Sequence, residues 1–255
     1  MARILVTGSV DGIGRETAAT LARIGHDVVL HARDERRARD GRRAVPAAVG
    51  TVTADLASLA QTRALAESAA AGAFDVVVHN AGIGGQDGRQ LTEDGMERTF
   101  QVNVLAPYLL TALLPRPARL IYLTSGLESE GRVDFADLRW DTKPWDGHQA
   151  YSDSKLYDVV LAFAVARLWS AVRSNAVDPG WIKTRMGGPH ATDELPEGAE
   201  TQVWLATSDE PAAAVTGRYL KRRQNLRAHP AAYDIEVQDE LLSVCASLSG
   251  VPFPA

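Results

Sequence analysis

The chain has 255 residues, enough for one large domain or two small ones around a substantial buried core. Its 45% hydrophobic and 23% charged content is ordinary for a soluble globular protein. A net charge of −5 gives no electrostatic footprint for nucleic acid or an anionic membrane, and a single cysteine, Cys245, rules out an intrachain disulfide and a cysteine-cluster zinc site.

No apolar run approaches the ~18 residues of a membrane span. The first strand begins almost at Met1, leaving no room for a signal peptide, so a cytoplasmic protein is expected. Arg3 to Thr7 is a short apolar run of the kind that forms a buried parallel strand. It ends in Thr7-Gly8-Ser9-Val10-Asp11-Gly12-Ile13-Gly14, and an Ala-rich helical pattern follows from Glu16 to Ile24 with Gly25 closing it. Strand, Gly-rich turn and helix in that order form the phosphate site of a dinucleotide fold. Gly8 would permit the turn, Gly12 the approach of backbone to pyrophosphate and Gly14 the packing of helix on strand, with Ser9, Asp11 and Ile13 as neighbouring cofactor contacts.

Asp27 to His31 reads as the second strand, followed by Ala32-Arg33-Asp34. An acidic residue at this strand end would accept hydrogen bonds from the adenosine ribose of NAD(H). Arg33 can instead pair with a 2′-phosphate, which favours NADP(H); Asp11 and Asp34 count against it, because a carboxylate there repels that phosphate. Gly50 to Ala54 is a third strand leading to Asp55-Leu56, where the Asp55 carboxylate could accept from the adenine amino group or cap the helix beginning near Ser58. That helix runs from Leu59 to Ala70.

Phe74 to His79 is a fourth buried strand, with Asn80-Ala81-Gly82 at its carboxyl end, where ligands of open α/β sheets bind. Small residues there admit a cofactor, the Asn80 amide can lock neighbouring strand ends, and His79 reads as a hydrogen-bonded sheet residue and not a metal ligand. Helical periodicity extends from Asp94 to Leu114, with Asn103 inside it; a buried amide needs partners, so Asn103 bonds a water chain or braces a neighbour. Arg119 to Ser125 is the fifth strand. The stretch 126–149 is long for a loop and holds Trp140 and Trp145, which line a substrate pocket or simply pack.

Tyr151 and Lys155 stand at the start of a helix that continues through Leu156 to Trp169, and residues four apart share a helix face. A fixed ammonium favours the phenolate, which makes a tyrosine useful as a proton carrier. Taken alone, such a pair reads more readily as a packed ring and a solvated amine. Arg173 to Val177 is the sixth strand, ending in Asp178-Pro179-Gly180-Trp181-Ile182-Lys183-Thr184, with Ile182 and Thr184 placed to offer backbone and hydroxyl to a nicotinamide carboxamide. Residues 185–196 have the Gly and Pro content of a mobile lid. A helix over Ala199 to Ala206, a seventh strand over Gly217 to Arg222 and a helix over Glu236 to Leu248 complete a single domain spanning 1–255.

Taken together, Thr7-Gly8-x-x-x-Gly12-x-Gly14, Asp55-Leu56, Asn80-Ala81-Gly82, Asn103, Ser125, Tyr151-x-x-x-Lys155 and Pro179-Gly180 with Thr184 resemble the short-chain dehydrogenase/reductase family over nearly the whole chain. Ser125 and Tyr151 are 26 residues apart, longer than in most of that family. With Val133 to Leu138 between them and Ser154-Lys155-Leu156 after, the chain looks like the branch of retinol dehydrogenases and light-dependent protochlorophyllide reductases. It departs from the family in having His79 where Asn is commoner, and Asp11 where NADP(H)-using members have a basic or neutral residue.

The resemblance implies a doubly wound parallel α/β sheet of about seven strands, with helices on both faces. It also implies an NADP(H)-dependent oxidoreductase, with NAD(H) as the alternative cofactor, acting on a carbonyl or alcohol. Tyr151 would exchange the proton at the substrate oxygen and Ser125 would hydrogen-bond that oxygen. Lys155 would hold the nicotinamide ribose and depress the tyrosine pKa, and Asn103 would position a water that relays protons to Lys155. A non-catalytic NADP(H)-sensing regulator, and an epimerase or dehydratase using the same four residues, are the competing readings. Trp140, Trp145, Trp181 and Met186 suggest an apolar substrate, and a helix pair in such folds is a common dimer surface, which leaves a homo-oligomer open.

Overall fold

In the computed structural model, residues 1–70 and 72–254 are described. Among the described residues, eight strands form one sheet in the order β3-β2-β1-β4-β5-β6-β7-β8. They are β1 (Arg3–Val6), β2 (Asp27–Ala32), β3 (Gly50–Thr53), β4 (Val76–His79), β5 (Arg119–Leu123), β6 (Arg173–Val177), β7 (Tyr219–Lys221) and β8 (Gln224–Leu226). The first seven are parallel, and β8 adds an antiparallel edge through the turn at Arg222 and Arg223, both with positive φ. The expected seven-strand sheet is therefore present with one more strand. That last strand was not legible because Gln-Asn-Leu is short and exposed on all three residues.

Alternation along the strands assigns each residue to one of two apolar layers. Ile4, Val6, Val28, Leu30, Val76 and Val78 pack with α1 (Gly12–Arg23) and α7 (Leu195–Thr207). Leu5, Val29, Val77, Leu120 and Tyr122 face the other way, onto α3 (Leu59–Ala70), α5 (Ala106–Leu113), α6 (Gly147–Leu168) and α8 (Ile235–Ser249). The short α2 (Glu35–Ala44) lies against β2 and β3. With both faces covered, the central strands read as continuous apolar runs, as parallel sheets require.

Helix starts follow carboxylates. Asp11, Asp34, Asp146 and Asp234 each accept a backbone N–H at the first turn of α1, α2, α6 and α8. The first of these begins at Gly12 and not Glu16, because Asp11 caps it inside the Gly-rich stretch. Ile24 ends it, and Gly25 follows in the left-handed region at φ 92°. Asp55 does not cap α3: its Oδ1 accepts from Ala57 N at 2.9 Å, and the start of α3 is satisfied by Ser58 and by Asp94 from another loop.

The periodic segment 94–114 is not one helix. Glu97 caps α4 (Arg98–Phe100), a π turn covers Gln101–Leu105, and α5 follows. A π turn holds one extra residue, so side chains on either side of it are out of phase with a regular helix. All of Gln101 to Leu105 are buried.

α6 is the longest helix, and every residue from Ser152 to Val165 is buried. It lies between β5 and β6, α8 and the short 3-10 turn Gly126–Glu130. Leu161 is fully buried at its middle. Replacing Leu161 by Ala should cost about 2–5 kcal/mol, read as a lower urea midpoint with an unchanged slope.

Candidate active site

A parallel sheet that ends abruptly leaves backbone groups unpaired at its carboxyl edge. Here side chains pair them. Thr7 Oγ1 accepts from the N–H of Asn80 at 3.0 Å and of Ala81 at 2.9 Å, while Asn80 Nδ2 donates to the carbonyls of Thr7 at 2.8 Å and Gly8 at 3.3 Å. The ends of β1 and β4 are thereby locked together, as the sequence suggested for Asn80. Gly8 has φ 62°, and a Cβ on Gly14 would come within 2.5 Å of the Gly8 carbonyl and run into the Asn80 amide. Both positions exclude a side chain, leaving the turn and the N-terminus of α1 as a cradle of backbone groups suited to phosphate.

Asn103 braces the next segment. Its Oδ1 accepts from Ile83 N at 2.8 Å, and its Nδ2 donates to Ile83 O at 3.1 Å and Ser154 Oγ at 2.9 Å. Ser154 Oγ in turn donates to Tyr151 O at 2.7 Å. The π turn is what aims this amide at α6 while its neighbours stay in the core. Beside it, Gly82 would place a Cβ 3.3 Å from Asn103 Oδ1 and 3.6 Å from Lys155 Nζ, so the three residues share one corner.

Tyr151 is partly exposed and Lys155 is buried, with Nζ 5.8 Å from the Tyr151 ring centroid. The ammonium donates to Leu123 O at 2.9 Å and to Asp158 Oδ2 at 2.7 Å. Burial opposes its charge, but Asp158 and Tyr151 outweigh burial and its pKa stands above the usual lysine value. Thr124 Oγ1 donates to Lys155 O at 2.6 Å, pinning the end of β5 to α6. The next residue, Ser125, is partly exposed, and its Oγ accepts from Leu127 N at 3.3 Å.

The other sequence candidates fall into three groups. Gly12, Ala81 and Gly82 line the same edge, and Gly180 N bonds Asp178 Oδ1 at 2.8 Å beyond β6, next to Pro179. Thr184 stands over the Gly-rich loop, its Cγ2 3.3 Å from where a Gly12 Cβ would be, and its Oγ1 accepts from Gly187 N at 3.0 Å. Ile182 is buried, bridged to Asp193 and packed on Gly198, so 185–196 is folded back as turns whose last residues, Leu195 and Pro196, already belong to α7. Ser9 and Leu56 are buried in the scaffold: the Ser9 hydroxyl accepts from His31 N at 2.9 Å and Leu56 joins the core.

The half-exposed Asp11 carboxylate already has partners. It caps Gly12 N at 2.9 Å and stands 3.4 Å from the Arg37 guanidinium and 3.7 Å from that of Arg185. Asp34 accepts from Arg37 N at 2.8 Å, and this bond, aided by Arg36 and Arg33, holds its carboxyl below the usual range. The exposed Arg33 lies 3.6 Å from Asp34. In the 126–149 loop, Trp140 is only 8% exposed and meets Trp145 edge to face at 5.3 Å, so it packs. Trp181 and Met186 are 52% and 56% exposed beside the edge.

Three features went unread in the sequence. Asp158 could have been found as an acid three residues past Lys155 on one helix face. His31 accepts from Gly8 N at 2.9 Å through Nδ1 and donates to Ala54 O at 3.0 Å through Nε2, so a neutral ring supports the Gly-rich loop. Arg37 and Arg185 converge on Asp11 only in three dimensions.

The family model described as short chain dehydrogenase matches residues 2–195. The Penicillium rubens short-chain dehydrogenase chyC is 39% identical over 259 residues, covering 100% of both chains. Human retinol dehydrogenase 13 is 33% identical over 285 residues, covering 99% of this chain and 86% of that one. A crystal structure of a blue fluorescent protein from a metagenomic library in complex with NADPH superposes with a TM-score of 0.71 at 27% identity, covering 86% of this chain and 95% of the other. The chain belongs to the short-chain dehydrogenase/reductase family. It is an oxidoreductase of the branch resembling the retinol dehydrogenases, and it works with a nicotinamide cofactor. Among the described residues no helix is long and apolar enough to cross a membrane.

Two strand histidines give the fold a pH signature. Burial lowers the pKa of His31 to about 4, against a smaller upward pull from the Ala54 carbonyl, and lowers that of His79 to about 3. The unfolded chain titrates both near 6.5. As pH falls below that value the unfolded state binds protons the folded state refuses, so stability present at neutral pH is lost at about 1.4 kcal/mol per pH unit for each histidine. Asp158, raised by burial to about 6 against the pull of Lys155, contributes with the opposite sign. The histidine part is therefore read as a difference: in urea titrations between neutrality and about pH 5, His79→Asn should lose less stability on acidification than the wild type.

Proposed function

We propose that the protein is an NADP(H)-dependent carbonyl reductase or alcohol dehydrogenase for an apolar small molecule, with a single catalytic domain over 1–255. The observation that carries the reading is the corner made by Tyr151, Lys155, Asn103 and Gly82, at the carboxyl ends of β4 and β5. A bound nicotinamide would supply or accept the hydride. The Gly8, Gly12 and Gly14 turn, with Ser9, Asp11 and Ile13, would hold its pyrophosphate side. Asp55 and Leu56 would border the adenine, Asn80, Ala81 and Gly82 the middle, and Pro179, Gly180, Ile182 and Thr184 the nicotinamide.

Tyr151 gives its proton to the substrate oxygen during reduction and takes it back during oxidation. Ser125 donates a hydrogen bond to that oxygen, and Lys155 keeps a positive charge beneath both. Most of the rate then comes from placing the carbonyl correctly and from donors aimed at the oxygen as it becomes negative. Asn103 holds Ile83 and Ser154, and so the wall on which the substrate carbonyl is placed.

Arg33, just past β2, and Arg37, in the first turn of α2, support NADP(H), since Asp11 and Asp34 are already engaged by caps and guanidinium groups and present less free negative charge to a 2′-phosphate. The NADPH bound in the superposed structure is in keeping with this. Exposed Trp181 and Met186, with Trp145 nearby in sequence to Tyr151, support an apolar substrate, as does the likeness to a retinol dehydrogenase.

Screening aromatic and polycyclic ketones for NADPH oxidation should find turnover; tight cofactor binding with no substrate would argue for the sensing role instead. Tyr151→Phe should lower turnover by about 10³-fold or more while leaving cofactor binding nearly intact, and retained turnover would refute the assignment. Arg33→Ala should raise the KM for NADPH by about tenfold and leave that for NADH nearly unchanged.

A further inference from the structure

Lys155 is held from below as well as presented to the site. Its pair with Asp158 is almost sealed, with side chains 6% and 4% exposed. Tyr151, Lys155 and Asp158 sit at positions i, i+4 and i+7 of α6, one stripe along the helix, with the ammonium 2.7 Å from the carboxylate and 5.8 Å from the centre of the phenol ring. Among the described residues the Asp158 carboxylate hydrogen-bonds Lys155 alone. A buried ion pair of this kind seldom improves stability over an apolar replacement, so packing alone does not account for it.

We propose that Asp158 is a positioning residue: it draws the Lys155 ammonium toward the floor of the site, offsets its charge at the Tyr151 phenol, and so sets the pH range over which Tyr151 exchanges its proton with substrate. This deepens the oxidoreductase reading and rests on it. An isolated ammonium favours phenolate strongly, and a carboxylate behind it cancels part of that effect. During reduction the phenolic O–H bond breaks as the substrate O–H bond forms. The negative charge left on Tyr151 is then met by a cation whose own counter-charge is already in place.

The charged and titratable groups around this pair are few. Tyr151 lies on the same helix. On β5 the phenol of Tyr122 faces Asp158, and its hydroxyl meets Thr111 Oγ1 at 2.8 Å, which in turn meets His79 Nε2 at 3.1 Å. Tyr122 is held protonated by burial and His79 is held neutral by burial. The π turn contributes only the uncharged Asn103. Glu128 of the 3-10 turn is bound to His229 N, Asp153 to Arg132 N and Gln149, and buried Cys245 of α8 acts on Tyr108 and Tyr157. None of these supplies a second charge to Lys155.

The test is Asp158→Asn, which keeps the shape and one acceptor oxygen while removing the charge. Near-ultraviolet phenolate titration of the cofactor-free protein, with Tyr151→Phe subtracted in each background, isolates Tyr151 from the other tyrosines. The Tyr151 midpoint should fall by about one to two pH units in Asp158→Asn, and the rise of kcat/KM for alcohol oxidation should move to lower pH by the same amount. A folded variant with an unmoved midpoint overturns the inference. Should Asp158→Asn not fold, Asp158→Ser, smaller and uncharged, is read the same way. Turnover retained by Tyr151→Phe would sink the oxidoreductase reading instead, and leaves the titration result standing on its own.

Discussion

The site depends on how the sheet is finished. Seven parallel strands direct their carboxyl ends to one edge, and the backbone groups there would be costly if left unpaired. Thr7, Asn80 and Asn103 pair backbone groups there, Thr124 ties the end of β5 to the Lys155 carbonyl of α6, and in doing so each fixes one wall of the crevice. The same bonds that satisfy the scaffold therefore position the reactive groups, and loosening any of them would disturb both.

Electrostatic balance is the second organising feature. Lys155 is matched by Asp158 in the interior, and Asp11 by Arg37 and Arg185 at the surface of the Gly-rich loop. The first pair is almost dry and responds little to salt, while the second is solvent-screened and contributes less. His31 follows a different rule. It supports the loop by hydrogen bonding as a neutral ring, which a charged residue could not do at the same depth without a partner.

Much of this was legible in the chain. Strands β1, β2, β4 and β5 announced themselves as short β-branched or aliphatic runs, and the motifs singled out in the sequence stand next to strand ends in the fold. What was missed needed spatial information or fell below the signal of periodicity. The antiparallel β8 is three exposed residues, and the tryptophans of the 126–149 loop read alike whether packed or exposed. The interrupted helix looked continuous because a one-residue shift in phase is hidden where every side chain is buried, as all are from Gln101 to Thr111. Asp158 was overlooked for the opposite reason: it is polar within an apolar helix, yet its partner was already assigned elsewhere.

That phase shift has a further consequence. A regular helix turns about 100° per residue, so removing one of the residues that flank Asn103 in the π turn would let the segment relax into ordinary α-geometry while rotating Asn103 away from Ile83 and Ser154. Chain length at this point is thus a setting in its own right: the hydrogen bonds that orient the crevice wall are specified by a count of residues as much as by their identity, and a shortened variant could keep every side chain of the site and still have them misaligned.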